Sequence, residues 1–205
     1  MNTTKLNQEV LETNITQAYE IAKQQGFYPD STNVSHELMM IVTEMGEVVQ
    51  ADRKNRHGQI ENYNAQLQET SDKVAYEECL ENTVESEMAD VAIRIMSLVG
   101  YLEMQPHRQH INFFDDETIN KTINYHHFII KKAHETIPLY LFRMVQEITY
   151  SALEVSPYWL LAGKLQNILC NIYAFAIYQN IDLLEHIRLK MQYNEGLEYK
   201  HGYRY

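Results

Sequence analysis

Apolar residues recur at three- and four-residue spacing along most of the chain. Val10, Leu11, Ile15, Ala18, Ile21 and Ala22 form one such stripe, which predicts an amphipathic helix over about 5–25. Gly26 and Pro29 end it. "DSTNVSHEL" offers Ser and Asn caps for a second helix, over about 34–55. Residues 56–78 are polar, with Gly58 near their start, and read as a loop or a short extra helix. A third long helix is predicted over about 81–104, stopped by Pro106. "PHRQHINFFDDETINK" reads as a linker, in which Asp116 or Thr118 is placed to cap the next helix. The remainder patterns as helices over about 119–135, 138–154, 157–179 and 182–194, with Pro138 and Pro157 at first-turn positions. Without a period-two stretch, the fold class is all-α: an antiparallel helical bundle in a single domain, 1–205.

Composition agrees with long helices. The 205 residues include only seven Gly and four Pro, and 45% are hydrophobic, enough for a substantial core. A formal net charge of −11 lacks the basic footprint of a nucleic-acid binder. It leaves room for a phosphorylated substrate, because a divalent cation bridges two anionic partners. Cys79 and Cys170 have no metal-ligand spacing and read as reduced thiols of a cytoplasmic protein. The polar start "MNTTKLNQEVLETN" carries no signal-peptide pattern. No apolar run approaches the roughly 20 residues of a membrane span.

Against this pattern, "IVTEMGEVVQADRK" and "ESEMADVAIRIM" each set two acids three residues apart inside an apolar run. On a wheel of about 100° per residue, Glu44 and Glu47 border the apolar stripe of the second helix, and Glu87 and Asp90 border that of the third. Packing the two stripes together brings both acid edges to one side of the seam. At about 4 Å and an effective dielectric near 20, each like-charged pair repels by about 4 kcal/mol. Protonation or a hard divalent ion such as Mg2+ or Mn2+ relieves it. The plainer alternative is a set of solvated helix-edge acids paired with Arg53, Lys54 or Arg94, the last four residues beyond Asp90.

"ELMMIVTEMGEVVQADRK" and "ESEMADVAIRIMSLVGYL" resemble the MazG-like, all-α nucleoside triphosphate pyrophosphohydrolases, whose signature is E-x-x-E, a spacer, then E-x-x-D. The resemblance extends to a C-terminal K-x-x-Y-N-x-x-R element, here "KMQYNEGLEYKHG". It implies a MazG-like bundle with metal-site helices at 31–105, extra or degenerate-repeat helices at 115–181, and the terminal motif at 182–205. It further implies Mg2+ (Mn2+ as the alternative) held by Glu44, Glu47, Glu87 and Asp90, with Glu44 or Glu47 accepting the proton of the attacking water. Lys190 and Asn194 would bind the substrate, an NTP or dNTP cleaved to monophosphate and pyrophosphate, in a homodimer; composition and charge, rather than the resemblance, argue against membrane and nucleic-acid-polymer partners. Three features depart from the pattern: a longer spacer, a stretch of about 75 residues between Pro106 and Ile181 that is unaccounted for unless it is a degenerate repeat, and Leu197 where Arg is expected. Arg204, Arg188 and Lys200 are the candidate replacements.

"MVQEITYSAL" with "GKLQNILCNIYAFAIYQNID" loosely echoes the two acid-bearing segments, with Lys164 opposite Glu87 and Asn167 opposite Asp90. Such a repeat would let one chain mimic a dimer with one live and one silent site. Two further readings stand beside the enzyme. One is a nucleotide-binding or regulatory module of the same fold without turnover. The other is a di-iron bundle, for which only Glu198–His201 supplies the Glu-x-x-His spacing. Trp159, Tyr158 and Phe175 read as core aromatics. His107, His110, His126 and His127 read as surface or loop histidines, and the basic run Asp52–Gly58 as a solvated helix end.

Overall fold

Each apolar stripe becomes a helix where a polar side chain is placed to catch the first free amides. The structure, a computed structural model, describes residues 5–29, 32–104, 113–153 and 158–197, without the side chains of 151–153 and 158. Among them are nine helices and no strand: α1 Gln8–Gln24, α2 Val34–Arg53, α3 Ile60–Gln66, α4 Asp72–Cys79, α5 Val84–Glu103, α6 Asp116–Ala133, α7 Ile137–Leu153, α8 Tyr158–Tyr178 and α9 Leu183–Glu195. Asn7, Asn33, Ser71, Thr83 and Asp182 accept amide hydrogens at the starts of α1, α2, α4, α5 and α9. The cap of α6 is Asp115, neither Asp116 nor Thr118: its carboxylate accepts the Thr118 amide at 2.8 Å. α2 and α6 stop short of the expected residues 55 and 135 because Asn55 and His134 turn left-handed, both at φ 51°. The polar stretch 56–78 forms α3 and α4. Pro106, Pro157, His107, His110 and the tail from Glu198 onward lie outside the described residues.

α5 is the axis of the bundle. α1, α2, α8 and α9 all pack on it, α6 packs on α8, and α7 leans chiefly on α2. Most of α5 is buried, including Met88, Val91, Ala92, Ile95, Leu98, Val99 and Leu102. α1 crosses α5 so closely that a Cβ on Gly100 would lie 2.6 Å from Tyr19 Cβ and 3.2 Å from the Ile15 carbonyl oxygen. Gly100→Ala is therefore expected to cost about 1–3 kcal/mol by forcing the helices apart, a loss that urea unfolding would register.

α8 corrects one expectation. Trp159–Tyr178 is long and apolar enough, by length and composition, to cross a membrane. Its residues are 72% buried inside the bundle, where they serve as core: Phe175, a core aromatic as expected, stacks on Tyr140 with ring centroids 3.8 Å apart. Trp159, by contrast, is exposed. His126 and His127 lie within α6 and are half-buried rather than in a loop.

α5 and α8 bury corresponding residues when Lys164 is set opposite Glu87: Met88 and Leu165, Val91 and Ile168, Ile95 and Ile172, Leu98 and Phe175 are all buried. Setting "MVQEITYSAL" against "IVTEMGEVVQA", with a separate offset, places Glu147 opposite Glu44 and Tyr150 opposite Glu47. Lys164 Nζ stands 5.7 Å from the Tyr150 ring, so the two counterpart positions meet there as well. The starts of α1 and α6 also touch, the Gln8 amide donating to Asp116 Oδ1 at 2.7 Å.

Candidate functional site

α2 and α5 lie side by side with their acid edges turned the same way. One carboxylate oxygen from each of Glu44, Glu47 and Glu87 lies within 4.8 Å of the others. Asp90 lines the same cleft one turn along α5, and its Oδ2 accepts a hydrogen bond from Lys190 Nζ of α9 at 2.7 Å. The two helix pairs thus converge, three acids on one point and the fourth on a cation.

The cleft encloses about 450 Å³ between α1, α2, α5 and α9, a volume within the range of small-molecule sites. Beyond the acids, its wall is small and apolar along Ala18, Ile21 and Ala22, with Phe27, Met40 and Ile93 farther on. The turn that carries Phe27 is held by its neighbour: Tyr28 stacks on Tyr101 at 5.0 Å and shares a 2.9 Å hydrogen bond with Ser97. At the other side, Gln25 Nε2 donates to the Asn194 carbonyl and ties α1 to the end of α9. Asn194 is buried and lines the cleft.

The electrostatics show what convergence costs. Burial, with Asp90 next in weight, pushes the Glu44 carboxyl up to about 7 against the lowering effect of Arg94. The same two causes push Glu87 up to about 8. Burial opposes the charge on Lys190, but Asp90, Tyr76 and Glu87 together raise its pKa. Its ammonium also lies 5.7 Å from both the Tyr76 and Tyr193 rings, which adds cation–π attraction.

A pH dependence arises from the two raised carboxyls. The folded state keeps protons on Glu44 and Glu87 that the unfolded chain loses above about pH 4.5, so their contribution to stability is whole below that pH. It disappears as pH rises through about 7 to 8. Melting in EDTA is expected to show wild type losing stability between pH 5.5 and 8.5 relative to Glu44→Gln/Glu87→Gln, with added Mg2+ reversing the loss at the upper end.

The donor set fits a hard divalent cation. It is all carboxylate oxygen, with no thiolate or imidazole in the trio. Octahedral ligands about 2.1 Å from Mg2+ sit roughly 3–4 Å apart, so small side-chain rotations close the trio. Glu85, the extra acid of "ESEMAD", points elsewhere: it takes the His57 Nδ1 contact at 3.0 Å and the Gly58 amide at 2.7 Å. The basic run Asp52–Gly58 therefore anchors the start of α5 through His57, Gly58 and the Arg56 carbonyl, which accepts from the Val84 amide.

One residue was misplaced by sequence reasoning. Arg94 pairs with Glu44 across the helix seam, Nε to Oε1 at 3.0 Å, rather than with Asp90 along its own helix. The signal was available: on the α5 wheel Arg94 falls at about −20°, between Glu87 at zero and Asp90 near −60°, so it shares the acid edge. Leu197 reaches the cleft rim but packs with the apolar group around Tyr63, Tyr76 and Leu80. Arg188 is tied to Glu185 and Gln192 on the exposed side of α9, which removes it as the replacement for the missing arginine.

No protein-family model, no curated protein and no solved structure matches the chain. The MazG-like resemblance rests on the quoted motifs alone.

Proposed function

We propose that the protein is a divalent-metal-dependent nucleoside triphosphate pyrophosphohydrolase of the MazG-like type, cleaving an NTP or dNTP to the monophosphate and pyrophosphate. The observation that carries this reading is the approach of Glu44, Glu47 and Glu87 to within 4.8 Å of one another beside the Asp90–Lys190 pair, in a cleft that continues into an apolar wall. Glu44, Glu47, Glu87 and Asp90 would hold Mg2+ or Mn2+. When bound, the ion supplies charge neutralisation and Lewis acidity toward the phosphates.

The chain's own groups have separable tasks. Glu47 is exposed at the cleft and has no hydrogen bond or ion pair among the described residues, so it is the acid free to take a proton from an attacking water. Lys190, already charged and nearly dry, is placed to meet a phosphate as a point charge. Asn194, fixed by Gln25, orients the phosphate or sugar, and the Ala18–Ala22 wall excludes water from one side of the substrate. α6–α8 are the candidate silent copy, in which Lys164, Asn167 and Tyr150 fill the places of Glu87, Asp90 and Glu47, so that of the four acids only the counterpart of Glu44, Glu147, is kept.

The test is a panel of NTPs and dNTPs incubated with the pure protein and Mg2+, with pyrophosphate and monophosphate quantified together. Equimolar release that stops in EDTA is expected; orthophosphate and a diphosphate, or no product, would refute the cleavage. The seating of Leu197 among apolar residues favours a second reading, a nucleotide-binding regulatory module. That reading requires nucleotide binding by calorimetry with no turnover in the same panel. The di-iron reading rests on Glu198 and His201, which lie outside the described residues; iron content of the purified protein tests it.

A further inference from the structure

Two cations line the cleft, Lys190 and Arg94. Lys190 is bonded to Asp90. Arg94 spends Nε on Glu44, and its side chain keeps 25% of its surface open. Its guanidinium lies over the Phe27 ring at 4.9 Å, a cation–π contact that restrains the side chain at the cleft. Among the described residues its two terminal amino groups make no hydrogen bond, although a guanidinium carries five N–H donors. Four donors thus remain unspent on a side chain that lines the cleft beside Glu44, one of the three converging acids.

We infer that Arg94 is a polyphosphate-binding residue of this cleft, supplying the guanidinium that the terminal motif lacks at Leu197. The inference rests on the reading of the cleft as a nucleotide pyrophosphohydrolase site. Its logic is charge and geometry. A triphosphate entering a pocket of four acids needs more positive charge than Lys190 offers. A planar fork bonds two phosphate oxygens at once, which an ammonium does not. Glu44 has two oxygens, so one can keep Arg94 while the other turns toward the converging trio.

A purely structural Arg94, present only to neutralise Glu44, predicts that pyrophosphate binding does not depend on it, and two titrations separate the cases. Inorganic pyrophosphate with Mg2+ is titrated into wild type, Arg94→Gln, Arg94→Lys and the outward-facing control Arg188→Gln; Mn2+ alone is titrated into the same proteins. Arg94→Gln is expected to weaken pyrophosphate binding by on the order of tenfold or more. It should at the same time tighten Mn2+ binding, because a cation has been taken from the acid cluster. Arg94→Lys, which keeps the charge and guards against a misfolded Gln variant, is expected to recover part of the pyrophosphate affinity. Arg188→Gln should behave as wild type. Unchanged pyrophosphate binding in Arg94→Gln, a parallel loss of Mn2+ and pyrophosphate, or no pyrophosphate binding by wild type would each overturn the inference. Arg94-dependent pyrophosphate binding without hydrolysis of any nucleotide would uphold it and sink the pyrophosphohydrolase reading. Nucleotide hydrolysis unaffected by Arg94→Gln would do the opposite.

Discussion

Lys190→Met is expected to cost the metal-free protein about 3–5 kcal/mol, the usual consequence of removing one partner from a buried ion pair. Lys190 Nζ and Asp90 Oδ2 are 2.7 Å apart, with only 10% and 17% of the two side chains exposed. Without the ammonium, Asp90 is a buried charge beside Glu44 and Glu87, whose carboxyls its field already raises. Methionine keeps the length and apolar stem of lysine, so packing against Tyr76 and Tyr193 survives and the electrostatic loss is isolated. Urea unfolding in EDTA at pH 8 measures the effect, and saturating Mg2+ is expected to return part of it. A loss below about 1 kcal/mol would mean that Asp90 is better solvated than its position implies.

The second large effect has opposite signs for stability and function. Glu87→Gln is expected to lower pyrophosphate release by about 100-fold or more, since it removes one of the three converging carboxylates. The metal-free protein should be no less stable than wild type at pH 8, because the carboxyl that burial and Asp90 disfavour in its charged form is gone. Glutamine fills the same space, so a collapse of stability would show that Glu87 has a packing role. Activity close to wild type would remove Glu87 from the site. Residues that destabilise a fold yet are needed by a reaction behave in this divided way.

The helices were legible because burial is periodic. Stripes such as Leu11–Ile15–Ala18 and Val91–Ile95–Leu98 fall on one face by spacing alone, and those faces are the ones buried. The edges were less legible. Asp115 rather than Asp116 caps α6, since the cap depends on which carboxylate reaches the third amide beyond it. That α8 is apolar enough on average to span a membrane was not legible as a run, because Lys164, Gln166, Asn167 and Asn171 interrupt it. In the cleft, the approach of Glu44, Glu47 and Glu87 followed from two stripes meeting, whereas the partners of the charges did not. Arg94 had Asp90 at helical spacing and Glu44 across a seam, and only the relative placement of α2 and α5 selects between them. Lys190, from a helix about 100 residues away in sequence, had no local signal for Asp90 at all.

Titration of Mn2+ into the metal-free protein, followed by electron paramagnetic resonance, tests the convergence of the acids most directly. Saturable binding is expected in wild type, strongly weakened in Glu44→Gln and in Glu87→Gln, and untouched in Glu85→Gln, whose carboxylate is turned toward His57 and Gly58. Equal binding by wild type and by the Glu44→Gln/Glu87→Gln double variant would contradict a divalent-cation site at this seam.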